Sequence, residues 1–275
     1  MTVRYQSRLF GATQNALILF IAAAILIPIY WMVAAGFKSY AEVFEAGWTF
    51  TPTLENFRAI MNPPYEIHKK FFNSTVVAIV TIAIAIPVAT LSAYSFSRFR
   101  LRYEKSIFMA IIATQFVPSI ILVLPFFILF RDTGLLDTWA ALILVNLSFV
   151  TPYAVWMIKG FIDAIPLDTE EAALVDGSTR LQVIKNVVIP MAAPGLITAS
   201  IFCFIICWNE FLLALIVTSK DAVTLPVGLA MFTAEEGDLW QLISATGVLI
   251  MLPMFALGMI IQKHFIQGST SGAVR

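Results

Sequence analysis

The sequence contains no Gly-Lys dipeptide, so it has no Walker A loop to cradle a nucleotide's phosphates. No His-Glu-x-x-His run occurs, and the two histidines, His68 and His264, lie far apart. No Cys/His cluster has metal-ligand spacing, and no Ser-His-Asp arrangement presents itself. These absences exclude ATP chemistry in this chain and leave no constellation for a membrane-embedded enzyme. Only two cysteines are present. Cys203 and Cys207 lie four apart in one apolar run, share a helix face, and are expected as reduced thiols. Charge is equally scarce. Charged residues make up 12% of the chain and balance to a net charge of zero, which gives no basis for binding nucleic acid. Several Asp or Arg residues inside apolar runs, a mark of tight ion coupling, are also missing. If such a chain moves solute uphill, the energy should come from another polypeptide.

What replaces charge is apolar length. Hydrophobic residues make up 60% of the 275 positions, and the mean hydropathy is +0.88. That composition belongs to an all-α polytopic membrane protein. A membrane-crossing helix needs about 20 apolar residues. Six stretches qualify, near 15–36, 73–96, 106–130, 138–158, 195–217 and 241–262. The N-terminal run follows Arg4 and Arg8 like a signal peptide. It is too long and lacks a clear small-residue cleavage site, so it reads as a retained span. The whole chain, 1–275, reads as one transmembrane domain with a polar loop at 163–190 and a tail at 263–275.

Six spans put both termini on one side, and the cations say which. One side carries Arg4, Arg8, Arg98, Arg100, Arg102, Lys105, Lys159, Arg180, Lys185, Lys263 and Arg275. The other carries Lys38, Arg58, Lys69, Lys70, Arg131 and Lys220. The positive-inside rule places both termini and the 163–190 loop in the cytoplasm. The largest outside loop is then 38–72. Trp48, Phe50, Phe57, Pro52, Pro63 and Pro64 suit an ordered cap, either a lid over the bundle or a dock for an external partner.

The second span repeats small residues every four positions: Thr81, Ala85, Ala89, Ala93 and Ser97. In lipid such a ladder lets another helix approach closely. Prolines recur inside the spans at Pro28, Pro87, Pro118, Pro125, Pro152 and Pro253, each a fixed bend or a hinge.

Polar groups within the spans are candidate solute or gate contacts. Asn209 and Glu210 follow Trp208 inside the fifth span, where a charge costs roughly 2.5–3.5 kcal/mol. Glu210 should therefore face the bundle interior or a wet cavity. It serves a polar solute, a gate or a structural clasp. Gln115 and Asn146 are the corresponding amides of the third and fourth spans. They are placed to contact hydroxyls or to bond neighbouring helices.

The polar loop is the most informative stretch. It reads Asp168-Thr-Glu-Glu171-Ala172-Ala173-Leu-Val-Asp-Gly177, nine residues, then Val187-Val-Ile189-Pro190. Asp168 can cap a first helix of about two turns, with Glu171 completing a capping-box-like pair. Gly177 suits its exit with positive φ. Ser178 or Thr179 can cap a second short helix, which Pro190 is expected to end.

This pattern resembles the Glu-Ala-Ala loop of bacterial ABC-importer permeases, with Glu171, Ala172, Ala173, Gly177 and Pro190 in register. Val187 and Ile189 stand where the family usually has Ile and Leu. The tail, Gln267-Gly268-Ser-Thr270-Ser-Gly272-Ala273-Val274-Arg275, is similar to that of MalG-like permeases of carbohydrate importers, apart from the final Arg275. The Trp208-Asn209-Glu210 element also resembles one common in sugar-importer permeases.

The resemblance implies a MetI-like, type I ABC-importer fold in the bacterial inner membrane. It implies a MalF-like second permease, a MalK-like ATPase dimer that binds ATP and Mg, and a periplasmic or lipid-anchored solute-binding protein. The chain itself would hold no cofactor and no metal. Its loop would be a coupling helix in a cleft of the ATPase. Gly272, Ala273 and Val274 would reach the ATPase interface. The solute would be sugar-like: an oligosaccharide, polyol, glycoside or glycerol-phosphate type. The competing reading is a self-contained, ion-gradient-driven carrier.

Overall fold

The computed structural model describes residues 2–45, 47–99, 102–233 and 239–271, with side chains from 13 to 259 within those limits. In chain order the helices are α1 (Thr2–Gly36), α2 (Tyr40–Val43), α3 (Glu55–Met61), α4 (Ile67–Arg98), α5 (Glu104–Ala113), α6 (Ser119–Asp132) and α7 (Trp139–Asp163). They continue with α8 (Leu167–Val175), α9 (Arg180–Val183), α10 (Ile189–Trp208), α11 (Leu212–Val217), α12 (Leu225–Ala230) and α13 (Trp240–Ser271). The described residues contain no strand. Among the described residues, five helices are long and apolar enough to cross a membrane, or six if one bent pair counts as a single span. The residues group into two compact units, Met1–Ile67 with Leu229–Leu252, and His68–Gly228 with Pro253–Arg275.

In the first unit the expected 38–72 loop ends earlier, at Glu66, because α4 already begins at Ile67, and its described residues are held by specific bonds. Asn56 is buried and donates both amide hydrogens, to Gly36 O at 2.9 Å and Lys38 O at 2.7 Å. This satisfies carbonyls at the end of α1 that the helix itself leaves open. Lys38 is buried too. Its ammonium donates to Glu45 O and Gly47 O and lies 4.8 Å from the Trp31 ring centroid. Ser39 and Glu42 form a reciprocal capping box that starts α2. Gly36 is small for a reason of packing. A Cβ there would stand 3.1 Å from the Ala245 backbone nitrogen.

The second unit holds the main core. The small-residue ladder behaves as expected. Thr81, Ala85, Ala89 and Ala93 are fully buried, and the three alanines join Val150, Ala154 and Ile158 of α7 and Ala199 and Cys203 of α10 in one cluster. Gly195 lets α10 lie against α7, because a Cβ there would enter the Phe161 ring. Cys203 and Cys207 are buried free thiols, as anticipated.

Two of the expected spans are broken. The stretch 106–130 becomes α5, a 3-10 turn at Thr114–Phe116, and α6, which meet at 93°. Pro118 sets the corner. It has no N–H to continue a helix and drives Val117 into the extended region, at ψ 117°. The stretch 195–217 is interrupted at Asn209–Phe211, between α10 and α11. At Pro190 the opposite correction applies. The helix does not end there but runs from Arg180 to Trp208. A π turn over Ile184–Val188 widens it just where the proline ring would strike the Asn186 carbonyl.

Candidate functional site: the α8–α9 elbow

The elbow follows from local sequence signals, with one correction. Asp168 does not cap α8. The helix starts at Leu167 behind Pro166 and has no side-chain cap, so Asp168 and Glu170 sit in its first turn, where acidic groups favour the helix dipole. Gly177 leaves α8 as expected, at φ +89°. Gly177 N–H donates to Leu174 O and Ser178 N–H to Ala173 O, the paired bonds of a Schellman motif. Thr179, of the two candidates, caps α9. Its hydroxyl accepts from Gln182 N–H while the Gln182 side chain accepts from Thr179 N–H at 2.7 Å.

The two edges of α8 differ in chemistry. Glu170, Ala173 and Leu174 face the core, and Ala173 and Leu174 pack on its main cluster. Glu171 and Ala172 are exposed, flanked by Leu167 and by Val175, which is 87% exposed. Leu181 of α9 is exposed as well. Sequence reasoning singled out Glu171, Ala172, Ala173, Gly177 and Pro190 as expected coupling residues but did not point to what holds the elbow. Glu170 is only 4% exposed. Its Oε1 accepts from Arg98 Nε at 2.7 Å and its Oε2 from Tyr94 OH at 3.0 Å. Arg98 Nη2 also donates to Ile162 O and Ile165 O, at 2.9 and 3.0 Å. The sequence signal was present in the i, i+3, i+4, i+7 spacing of Glu170, Ala173, Leu174 and Gly177, which puts Glu170 on the inner edge.

The candidate solute and gate residues lie apart from the elbow in sequence and differ among themselves. Glu210 accepts from Leu213 N–H at 2.8 Å and Ala214 N–H at 2.9 Å, so both oxygens start α11. Asn209 is exposed and donates to Ile205 O. Asn146 is buried and donates to Leu142 O, one turn back on its own helix. Gln115 donates to Phe149 O and lines a cavity of about 200 Å³ with Ile112, Pro152, Tyr153 and Trp156. Gly272, Ala273 and Val274 lie outside the described residues.

A second polar assembly was not foreseen. Asp137 has φ +59° and turns its carboxylate into the loop after α11. It accepts from the backbone N–H groups of Ser219, Lys220, Asp221 and Ala222 at 3.0–3.1 Å. Burial pushes the carboxyl's pKa up, but these backbone donors outweigh it and hold the pKa at about 2. Asn73 donates to Asp221 O and Val223 O and accepts from Trp139 Nε1, all at 2.9 Å. Ser74 Oγ accepts from Leu225 N–H.

Long apolar helices, two broken spans and an exposed, capped elbow define a multi-pass membrane protein. The comparisons agree. Residues 85–270 match the family model "Binding-protein-dependent transport system inner membrane component". The sulfoquinovosyl glycerol transport system permease protein SmoH of Agrobacterium fabrum is 37% identical, over 93% of both chains. The trehalose transport system permease protein SugB of Mycobacterium tuberculosis is 35% identical, over 91% of this chain and 92% of the relative. A bacterial ABC transporter involved in the import of the acidic polysaccharide alginate has the same fold, at a TM-score of 0.77 and 23% identity, covering 94% of this chain and 97% of its own. The chain therefore belongs to the family of binding-protein-dependent transport system inner membrane components. Its fold is MetI-like, and it is a permease subunit of an ABC importer.

Proposed function

We propose that this permease carries a sugar-like solute across the bacterial inner membrane and that the α8–α9 elbow couples it to a separate ATPase. The observation that carries the coupling role is the exposed apolar edge of Leu167, Ala172 and Val175 on a helix whose other edge is buried, with Leu181 exposed on the helix that follows. Water gives such an edge no stabilisation, whereas a partner cleft does. Glu171 lies on the same edge, and the small Ala172 admits close approach. Gly177 sets the corner, and Pro190 lies in the continuous helix that leads from α9 toward the membrane.

The partners in this reading are a MalK-like ATPase dimer that binds ATP and Mg, a MalF-like second permease and a solute-binding protein outside. Both termini lie in the cytoplasm, and Gly272, Ala273 and Val274 reach the ATPase interface. The sugar reading is supported by the relatives, whose names carry sulfoquinovosyl glycerol and trehalose. It is also supported by the cavity at Gln115, where an amide stands beside the rings of Tyr153 and Trp156. Sugars are held by such amides and by aromatic faces. Asn146 and Asn209 are the further amides along the path. Glu210 acts at the gate, by fixing the bend between α10 and α11.

Reconstitution tests both parts. The chain, a second permease, the ATPase and the binding protein are placed in vesicles and offered labelled trehalose and sulfoquinovosyl glycerol. Accumulation of one of them only with ATP inside the ATPase compartment is expected. Accumulation by the chain alone under an ion gradient would overturn the coupling role.

A further inference from the structure

The elbow needs more than a docking edge. A short helix that is pulled from outside moves a membrane span only if it is fastened to that span. The pairing of Glu170 with α4 and α7 supplies the fastening. Tyr94 and Arg98 lie one turn apart on the last two turns of α4 and take one oxygen each of the same carboxylate. Arg98 Nη2 reaches both Ile162 O, near the end of α7, and Ile165 O, in the link to α8. One planar cation thus joins three consecutive structural pieces. The Arg98 and Glu170 side chains are 6% and 5% exposed, so water does not compete for the bonds. The joint has a second point. The Arg180 guanidinium of α9 lies 5.2 Å from the ring of Phe99, the residue after α4.

We propose that Arg98 and Tyr94 are positioning residues for coupling: through Glu170 they make α8 and the inner ends of α4 and α7 move as one rigid body. This rests on the docking role of α8 proposed above. The chemistry favours Arg over Lys at this place. A guanidinium serves a carboxylate and two carbonyls from fixed directions, whereas an ammonium on a flexible stem has no fixed fork. The bonds run to both flanks of α8's starting point, so they resist rotation as well as withdrawal of the helix. Glu171, one residue on, is turned by about 100° to the exposed side, where it can meet the ATPase.

A distance measurement within the assembled transporter tests the joint. Spin labels are placed by Leu91→Cys on α4 and Thr169→Cys on α8, both exposed sites, with the buried Cys203 and Cys207 replaced by alanine. The complex with its ATPase and second permease is compared without nucleotide and after trapping with ATP and vanadate. With the joint intact, the label separation should be the same in both states. With Glu170→Gln or Arg98→Lys, trapping should shift or broaden the separation by about 5 Å, one helical pitch. A clasp needed only for folding would lower stability without creating this nucleotide-dependent change. A shift in the intact protein, or no shift in both variants, would overturn the proposal. Failure of the docking role is read separately: the ATPase would copurify undiminished with Val175→Glu.

Discussion

α4 is fastened at both ends, and the two fastenings are built differently. Near its start, Asn73 and Ser74 bind backbone groups of the 221–225 segment, and Asp137 gathers four N–H groups of the same loop. Near its end, Tyr94 and Arg98 bind one side chain, Glu170, on a helix of nine residues. The first assembly ties a loop down through its own backbone and leaves it no independent motion. The second ties down a preformed unit by its inner edge and leaves the outer edge bare. A polar clasp therefore has two uses in one molecule, to close a loop and to fasten a helix by one edge.

The mount should fail most heavily. Arg98→Met leaves the Glu170 carboxylate buried with Tyr94 as its side-chain donor, and breaking a buried pair from one side costs about 3–5 kcal/mol. Thermal unfolding of the purified protein should show the largest loss of any single change considered. Adding Glu170→Leu should recover much of that loss, because two apolar groups replace the pair. Stability would then return while coupling did not, which separates the clasp from the lever. If the double variant is no more stable than Arg98→Met, the Ile162 and Ile165 carbonyls left without Arg98 dominate the cost instead.

Gly177→Val strikes the elbow through its backbone. Nothing lies within 4 Å of a Cβ at Gly177, so the change meets no neighbour. The left-handed conformation is what resists it, at about 1–2 kcal/mol. The result should be a modest drop in unfolding temperature with a large drop in ATPase copurification. Gly177→Asn, which tolerates this conformation better, should restore most of the binding. Equal failure of both variants would point to the glycine surface rather than to the corner.

The loop clasp has a pH signature. The Asp137 pKa is depressed from its ordinary value of 3.8 to about 2, so folding favours the charged form. The stabilisation is present above pH 3.8 and disappears as pH falls through 2. The carboxylate is half-buried at the surface, and allowance for solvent screening reduces the expected contribution to about 1 kcal/mol. Asn keeps the positive φ of this position, so Asp137→Asn should lower stability by that amount at pH 6 and flatten the dependence below pH 4. Chemical denaturation at pH 6 and pH 3 checks both. An unchanged pH profile would mean that the loop is held by Asn73 and Ser74 alone.

These differences explain what the sequence could and could not display. The exit at Gly177 and the cap at Thr179 depend on residues within one turn, so they were legible. The prolines were not equally legible. Pro118 breaks its span and Pro190 does not, because a π turn upstream makes room for the second ring. Glu170 and Glu171 are neighbours in the chain and opposites in the fold. A rotation of about 100° per residue separates them, and only the position of the core decides which one is buried. Asp137 meets a loop more than 80 residues away, which no local pattern encodes. Glu210 was legible as a polar group needing partners, but its partners are the backbone of α11, formed only because the span breaks.

The smallest expected effect on the fold falls on the residue with the most to say about function. Val175 is 87% exposed and donates nothing to the core. Val175→Ser should change unfolding free energy by no more than about 0.5 kcal/mol. On the outer edge of α8 the same change removes apolar area that a partner would bury, worth about 25 cal/mol per Å². Binding of the ATPase should weaken measurably while the inner clasp and the outer loop stay intact. Glu170→Gln does the reverse, preserving the outer edge and loosening the mount. If docking and fastening are separate properties of the two edges, the first variant lowers ATPase affinity without altering the α4–α8 separation, and the second alters the separation without lowering affinity. If both variants lower affinity alike, the helix acts as one surface, and the division between its edges has no mechanical meaning.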